Sequence, residues 1–545
     1  MSGALLLAAI GVPLALLAGC ASEAFRARAA LWLPLAPLPG LGAALLAPSA
    51  SVALPPALLG IRLSLDPSAA MLLGAASVLW SLAGVYAAAT LPARPDPGRF
   101  APWWLLTVAG SLGVFMAADL VGFYLLFSAV SLAAYGLIVD DGTARARQVG
   151  LLYVVLAVLG EGFLLLAFVM LAQGAPHGGS LVIREVVAAL PGSPWRTPAL
   201  TLLILGFGVK LGMVPFHIWM PLTYRTAPAG AAAALSGAAV KAGVIGLLRF
   251  LPLGAALPDW GTALAAAGFF SAFWGVGFGL RHHDPRAVLA YSSISQMGMI
   301  AAVMGLALAA GDPGAGLAAA LYGAHHTLVK GGLFLAVGLA ATRREGRVGL
   351  LVLAPAAVIA LGMAGLPLTG GALAKVVVKP VMGDGVAGVL GSLSSAGTAM
   401  LMLHFLARLA ALPADADRAM PRSARLPATL AWLVAAALAV LVPWWLYLGA
   451  AGGSHADALS PEALWSSLWP VLLGAALWLG LGRAGLLPRP REGDVVLRAF
   501  RRAALYGVLA GAGLERADAA LRRFAVAVVT LLAVALALAA LSLGA

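Results

Sequence analysis

Cysteine is almost missing from this sequence. Cys20 is the only one in 545 residues, so no disulfide can form within the chain. The four thiolates of an ordinary iron–sulfur cluster cannot come from it alone either. Any redox chemistry coupled to this protein has to reside in other chains. Charge is scarce too: 10% of the residues are charged, where a soluble domain carries roughly a quarter. Lysine is the scarcest basic residue, five against twenty-nine arginines. The net charge of +13 does not point to nucleic acid, because the arginines are spread over short loops and form no single basic patch. The stretch Leu17-Ala18-Gly19-Cys20 resembles a lipoprotein cleavage site. No Lys or Arg precedes its apolar run, as one does in signal peptides, so processing there is not expected.

Apolar residues are abundant, at 62% of the chain, and the mean hydropathy is +0.99. Runs of about twenty apolar residues recur from end to end, which reads as an all-α polytopic membrane protein of about 14–16 transmembrane helices in a lipid bilayer. The runs begin near 3–20 and 29–47 and close with 522–543. Arginines gather in alternate loops, for example Arg26 and Arg28, Arg145 and Arg147, Arg281 and Arg286, and nine between 483 and 523. The positive-inside rule then places both termini away from the cytoplasm. Within 483–521, Asp494 suits a helix start and Val495, Leu497, Phe500, Ala504 and Leu505 share a face. A helix lying in the cytoplasmic interface, or docked on a partner subunit, is expected there.

Four of the five lysines, Lys210, Lys241, Lys330 and Lys375, sit inside apolar stretches. Lys379 is the fifth. Arginine stays protonated in proteins, whereas a buried lysine can cycle between charged and neutral forms. Ionisable groups within membrane helices are by default candidate ion or proton pathways. Pro215 follows Lys210 by five residues, and Pro367, Gly370 and Gly371 precede Lys375. Two lysines therefore lie beside predicted helix breaks, where freed backbone groups build ion sites in transporters. His217 lies past the first break as a titratable group near the helix end. His326 and Lys330 are four apart and share a helix face. Glu161 is the acid placed mid-span, in Leu159-Gly160-Glu161-Gly162-Phe163.

Three stretches carry a family resemblance: Lys210-Leu-Gly-Met-Val-Pro-Phe-His217-Ile-Trp-Met-Pro221 with Ala227-Pro228, Asp284-Pro-Arg286 through Ala290-Tyr-Ser-Ser-Ile-Ser295, and His325-His326-Thr-Leu-Val-Lys330 with Gly365-Leu-Pro367 through Lys375. Over roughly residues 60–410 the chain resembles the antiporter-like subunits of respiratory complex I (NADH:quinone oxidoreductase). Mrp-type sodium/proton antiporters and membrane-bound hydrogenases share the family. The resemblance implies two inverted five-helix repeats, at 101–250 and 262–412, each with a broken helix. Outside them would lie N-terminal helices (1–100), additional helices (413–482), the interfacial segment (483–521) and a last helix (522–545). It implies a relay of Lys210, Lys241, Lys330 and Lys375 with His326, in a bacterial inner membrane and in contact with other membrane subunits. Protons are the expected ion, with sodium as the alternative.

This sequence departs from the family in one place that matters. The fifth helix of relatives carries a glutamate that pairs with the first broken-helix lysine; here Ser128 stands at that position. Glu161 is expected to replace it as the partner of Lys210. Gln296 occupies a place where relatives often have histidine. His217, His404 and Asp119 are candidates for the entrance or exit of the path. The sequence contains no nucleotide motif, metal-ligand cluster or quinone site, so neither cofactor nor metal is expected in this chain. Three functions compete: an ion-translocating subunit of a redox-driven pump, a subunit of a cation/proton antiporter or an energy-coupled inorganic-carbon uptake system, and a non-conducting scaffold.

Overall fold

A chain can cross a bilayer only if all its backbone N–H and C=O groups are paired, and helices do this within one segment. The computed structural model describes residues 2–91, 97–175, 180–342, 348–413 and 420–486, with positions 502, 511–513, 515, 516 and 519. Among the described residues, eleven helical segments are long and apolar enough to span a membrane. The chain divides into two compact units, Met1–Arg491 and Glu492–Ala545. In the second, the described positions are helical. The rest of the expected interfacial helix beyond residue 486, and the expected last span, lie outside the described residues.

The first unit begins with α1 (Ser2–Gly19), followed by α2 (Glu23–Arg26), α3 (Ala29–Trp32) and α4 (Leu38–Leu46). The expected span 29–47 is thus not one helix. Pro34, Pro37 and Pro39 interrupt it, and the nine residues of α4 rise only about 14 Å, short of the roughly 30 Å hydrocarbon core. A small antiparallel hairpin, β1 (Ser51–Ala53) with β2 (Arg62–Ser64), pairs Val52 with Leu63. It leads into α5 (Pro67–Thr90).

Two five-span stretches follow. The first holds α6 (Pro97–Met116), α7 (Leu120–Ile138) and α8 (Ala144–Gln173), then, after the short α9 (Ile183–Ala189), an interrupted span, α10 (Arg196–Leu211) with α11 (Trp219–Thr226), and another, α12 (Ala229–Ala234) with α13 (Lys241–Phe250). The second holds α14 (Pro258–Gly279), α15 (Pro285–Ala310), α16 (Ala315–Ala341), the interrupted pair α17 (Leu350–Ala364) and α18 (Gly370–Met382), and α19 (Val386–Ala410). The described part ends with α20 (Arg422–Leu448), α21 (His455–Ala458) and α22 (Pro461–Arg483). This is the all-α polytopic fold with broken helices that the sequence predicts.

Helix starts are set by short polar side chains. Asp66, Asp119, Thr143, Asp284 and Ser460 each accept a backbone N–H from the first turn of the helix they precede, which satisfies donors that a helix leaves orphaned. Burial then sorts the helices. In its most apolar window, Ala229–Phe250 is 94% buried and α15 83%, whereas α1 is 17% buried and α22 22%. A helix that is apolar all round and buried forms the core of the bundle. The core is therefore built from α12–α13, α15 and α16, the elements that carry Lys241 and Lys330.

Candidate functional site

Lys210 lies in the last turn of α10, immediately before the break. Its Nζ donates to Ser131 Oγ at 2.8 Å and sits 5.3 Å from the centre of the Phe127 ring. The break exposes the carbonyl of Val209, which accepts from Trp219 Nε1 at 2.9 Å. Two voids of ≈ 10 Å³ each touch Lys210, one beside Ser131 and Gly160, the other reaching Leu235 and Val240. Each is about the size that holds one water.

Glu161 on α8 is 5% exposed, and it is the acid whose charge acts on Lys210. It stands beside the hydroxyls of Ser128 and Ser131. Neither Glu161 Oε1 nor Ser128 Oγ has a hydrogen-bond partner among the described residues. The direct partner of Lys210 is therefore Ser131, three residues beyond the position where the sequence signals the missing glutamate. Ser131 and Ser128 lie almost on one helix face, and only the rotation of α7 against α10 decides which of them meets the ammonium.

The centre of the bundle holds an element the sequence did not reveal. Leu235–Ala239 form a π-helix between α12 and α13. Lys241 Nζ donates to Gly237 O in it at 2.9 Å and lies 2.8 Å from His326 Nδ1 on α16. Thr327 Oγ1 donates to the same Gly237 carbonyl at 3.1 Å. His326, expected beside Lys330, thus pairs with Lys241 across the junction of the two five-span stretches. Lys330 Nζ donates instead to Leu289 O on α15 at 2.7 Å. Lys241, His326 and Lys330 are fully buried.

Lys375 stands in the second turn of α18, after a break that runs from Gly365 to Thr369. Gly365 has φ +97, and any side chain there would collide with Lys375 Nζ. The lysine therefore reaches back to the break. Its buried Nζ has no hydrogen-bond partner among the described residues. Lys375 lines a cavity of ≈ 460 Å³ bounded by Gln296, Tyr322, Lys379, Asp384, Thr398 and Glu462 among others. Gln296 spans the inner wall: Nε2 donates to Thr398 Oγ1 at 3.0 Å, and Oε1 accepts from Tyr322 at 2.7 Å.

The remaining candidates sit near helix ends. Trp274 Nε1 donates to His217 Nε2 at 3.2 Å. Both carboxylate oxygens of Asp119 accept backbone N–H groups, from Gly122 at 2.8 Å and Arg62 at 2.7 Å. Asp119 therefore caps α7 and ties it to the hairpin. His404 Nε2 donates to His282 O at 2.9 Å, and Arg408 Nη1 contacts His283 Nδ1 at 2.9 Å. His282 and His283, between α14 and α15, thus hold the end of α19. Among the described residues no cluster of three His, Cys, Asp or Glu is placed to hold a metal.

The His282 ring stacks on Tyr291, with centroids 4.9 Å apart, and Arg225 pairs with Asp284 at 2.8 Å. Burial first, then Arg225, push the His282 imidazole below its usual range, against the opposing pull of Asp284. A histidine with a depressed folded pKa contributes stability above its unfolded value of about 6.5. That contribution is lost as pH falls further, because the unfolded loop binds the proton more readily. The thermal midpoint of the solubilised protein is expected to drop between pH 7.5 and 5.5. His282→Phe, which keeps the stacking on Tyr291, should make that drop smaller; an unchanged pH slope would show that His282 does not contribute to it.

The sequence model described as "NADH:quinone oxidoreductase/Mrp antiporter, TM" matches residues 117–400. The chain is 32% identical over 344 residues to NADH-quinone oxidoreductase subunit N of Desulforudis audaxviator, covering 58% of this chain and 65% of the relative. It is 30% identical over 297 residues to hydrogenase-4 component B of Escherichia coli, covering 52% and 44%. The Mrp complex from Dietzia sp. DQ12-45-1b contains a chain of similar structure, with TM-score 0.76 and 25% identity over 99% of this chain and 63% of that one. In each comparison the chain spans less than two thirds of the other protein.

Proposed function

We propose, given that this chain belongs to the NADH:quinone oxidoreductase/Mrp antiporter transmembrane family, that it translocates protons as one subunit of a multisubunit membrane complex. The path runs through Lys210 with Glu161, then Lys241, His326 and Lys330, and then Lys375. The observation that carries this reading is the 2.8 Å contact between Lys241 Nζ and His326 Nδ1, a buried, titratable link between the two five-span stretches. A proton on Lys241 faces the lone pair of His326 and crosses by breaking one N–H bond and forming another. Like charges at Lys241 and Lys330 repel, so a charge arriving at one favours release from the other. The cavity at Lys375, whose wall includes Gln296, Tyr322, Thr398 and Glu462, supplies a roomy end for the path. Waters fit the two small voids at Lys210, and they would bring the Ser131 side of Lys210 into contact with the π-helix side.

The reading supports a redox-driven complex in which electron transfer takes place in partner chains, in keeping with the single cysteine. The alternative, a cation/proton antiporter assembly, is favoured by the likeness to an Mrp-complex chain across 99% of this protein. A test common to both is proton flux in vesicles carrying the assembled complex with Lys210→Ala, Lys375→Ala or Glu161→Gln. Each substitution is expected to lower flux at least tenfold. Unchanged flux in all three would sink the relay and leave the scaffold reading standing.

A further inference from the structure

His325 is buried at 1% exposure, and neither ring nitrogen has a hydrogen-bond partner among the described residues. Leaving such a ring unpaired is unfavourable, so its position requires an explanation. The neighbours provide one. Its Nδ1 is packed against Gly370, the first residue of α18, so closely that a side chain at Gly370 would collide with it. Lys375 Nζ is packed in the same way against Gly365, at the other end of the same break. His326, which binds Lys241, is the next residue on α16. His325 is therefore adjacent in the chain to the central pair and touches the break that Lys375 also touches.

We propose that His325 is a proton-relay residue linking the central Lys241–His326 pair to Lys375, an inference that rests on the function proposed above. The imidazole accepts a proton at Nε2 and releases the one on Nδ1, so that one N–H bond forms and one breaks and the ring ends neutral. The released proton passes through a water in the break to a neutral Lys375 amine and forms the ammonium. The two glycines at the ends of the break keep the passage open, because a methyl at either would displace the ring or the amine. Tyr322, three residues before His325 on α16 and hydrogen-bonded to Gln296, forms the cavity wall next to this passage.

The test uses vesicles carrying the full complex, with flux normalised to assembled protein. His325→Gln and His325→Glu have the same shape and differ in whether the side chain can titrate. The inference expects His325→Gln to lose at least tenfold in flux and His325→Glu to stay within threefold of the parent. Lys375→Ala in the same series serves as the reference. Loss with Lys375→Ala but parental flux with His325→Gln overturns the inference and leaves the proposed function intact. Equal loss in the glutamine and glutamate variants also overturns it, since packing alone would then account for His325. Parental flux in all variants, Lys375→Ala included, overturns the proposed function itself. If either variant fails to assemble, His325→Asn and His325→Asp form the equivalent pair with the same outcomes.

Discussion

Lys241→Met is expected to reduce proton flux about 100-fold or more, the scale on which positioned proton-transfer groups act, while the complex still assembles. Methionine fills nearly the same volume in this fully buried position and brings no polar group with it. The Gly237 carbonyl keeps a share of the Thr327 hydroxyl, which also donates to Gly323 O. Only His326 Nδ1 loses its partner, a penalty of about 1–3 kcal/mol. Flux should suffer far more than stability because the Lys241–His326 contact joins relay residues of the two five-span stretches. Lys241→Arg sharpens the point. Arginine holds the positive charge but does not release its proton, so it should be as inactive as methionine if the lysine cycles. Recovery of flux with arginine would mean that Lys241 supplies a fixed charge. The measurement is a pH-dye assay of vesicles, normalised to complex content.

Gly268→Leu is expected to remove most of the protein from the membrane. Gly261, Gly268 and Gly275 repeat every seven residues along α14; the first two face Gly305 and Gly298 of α15, and the third faces the backbone at Tyr291 and Ser295. Small residues let membrane helices approach backbone to backbone, where van der Waals packing takes the place of the hydrophobic drive. A Cβ on Gly268 would lie 2.5 Å from Gly298 O and 2.6 Å from Ala302 N. These are main-chain atoms and cannot swing aside, so the two helices must separate. Overpacking a core is unfavourable by about 1–3 kcal/mol and sometimes more, and here it is the backbone that resists. Gly277→Leu on the same helix meets open space and should accumulate normally. Comparable membrane levels of the two variants would show that the close approach is dispensable.

Much of the site could be read from residue types alone. A lysine in an apolar run stands out because its burial is expensive, and Lys210, Lys241, Lys330 and Lys375 were found that way. The breaks beside Lys210 and Lys375 were announced by Pro215 and by Pro367 with Gly370 and Gly371, residues that cannot continue a helix without penalty. The single cysteine assigned redox chemistry elsewhere before any fold was known. By contrast, Ser131 carries no mark that separates it from Ser128, and His325 reads as a duplicate of His326. The span predicted at 29–47 failed because apolar content was counted and its three prolines were not. The expected pairing of His326 with Lys330 followed correctly from helix geometry, but a partner on another helix took precedence.

Hydropathy and breakers are sums over neighbouring residues, so the sequence determined that the chain is a polytopic helical membrane protein, that helices break beside Lys210 and Lys375, and which titratable groups lie within the spans. Which of those groups meet was decided by tertiary structure. The bond of Lys210 joins residues 79 apart in the chain and that of Lys241 residues 85 apart, and each requires two helices to be rotated correctly to within a fraction of a turn. The π-helix at Leu235–Ala239 shows the physical reason. One extra residue in a turn rotates everything after it by about 100°, enough to carry Lys241 from one face of its helix to another. Nothing in Leu-Ser-Gly-Ala-Ala announces that turn; it forms because the packed bundle, with Thr327 and Lys241 both donating to the Gly237 carbonyl, satisfies the group it frees.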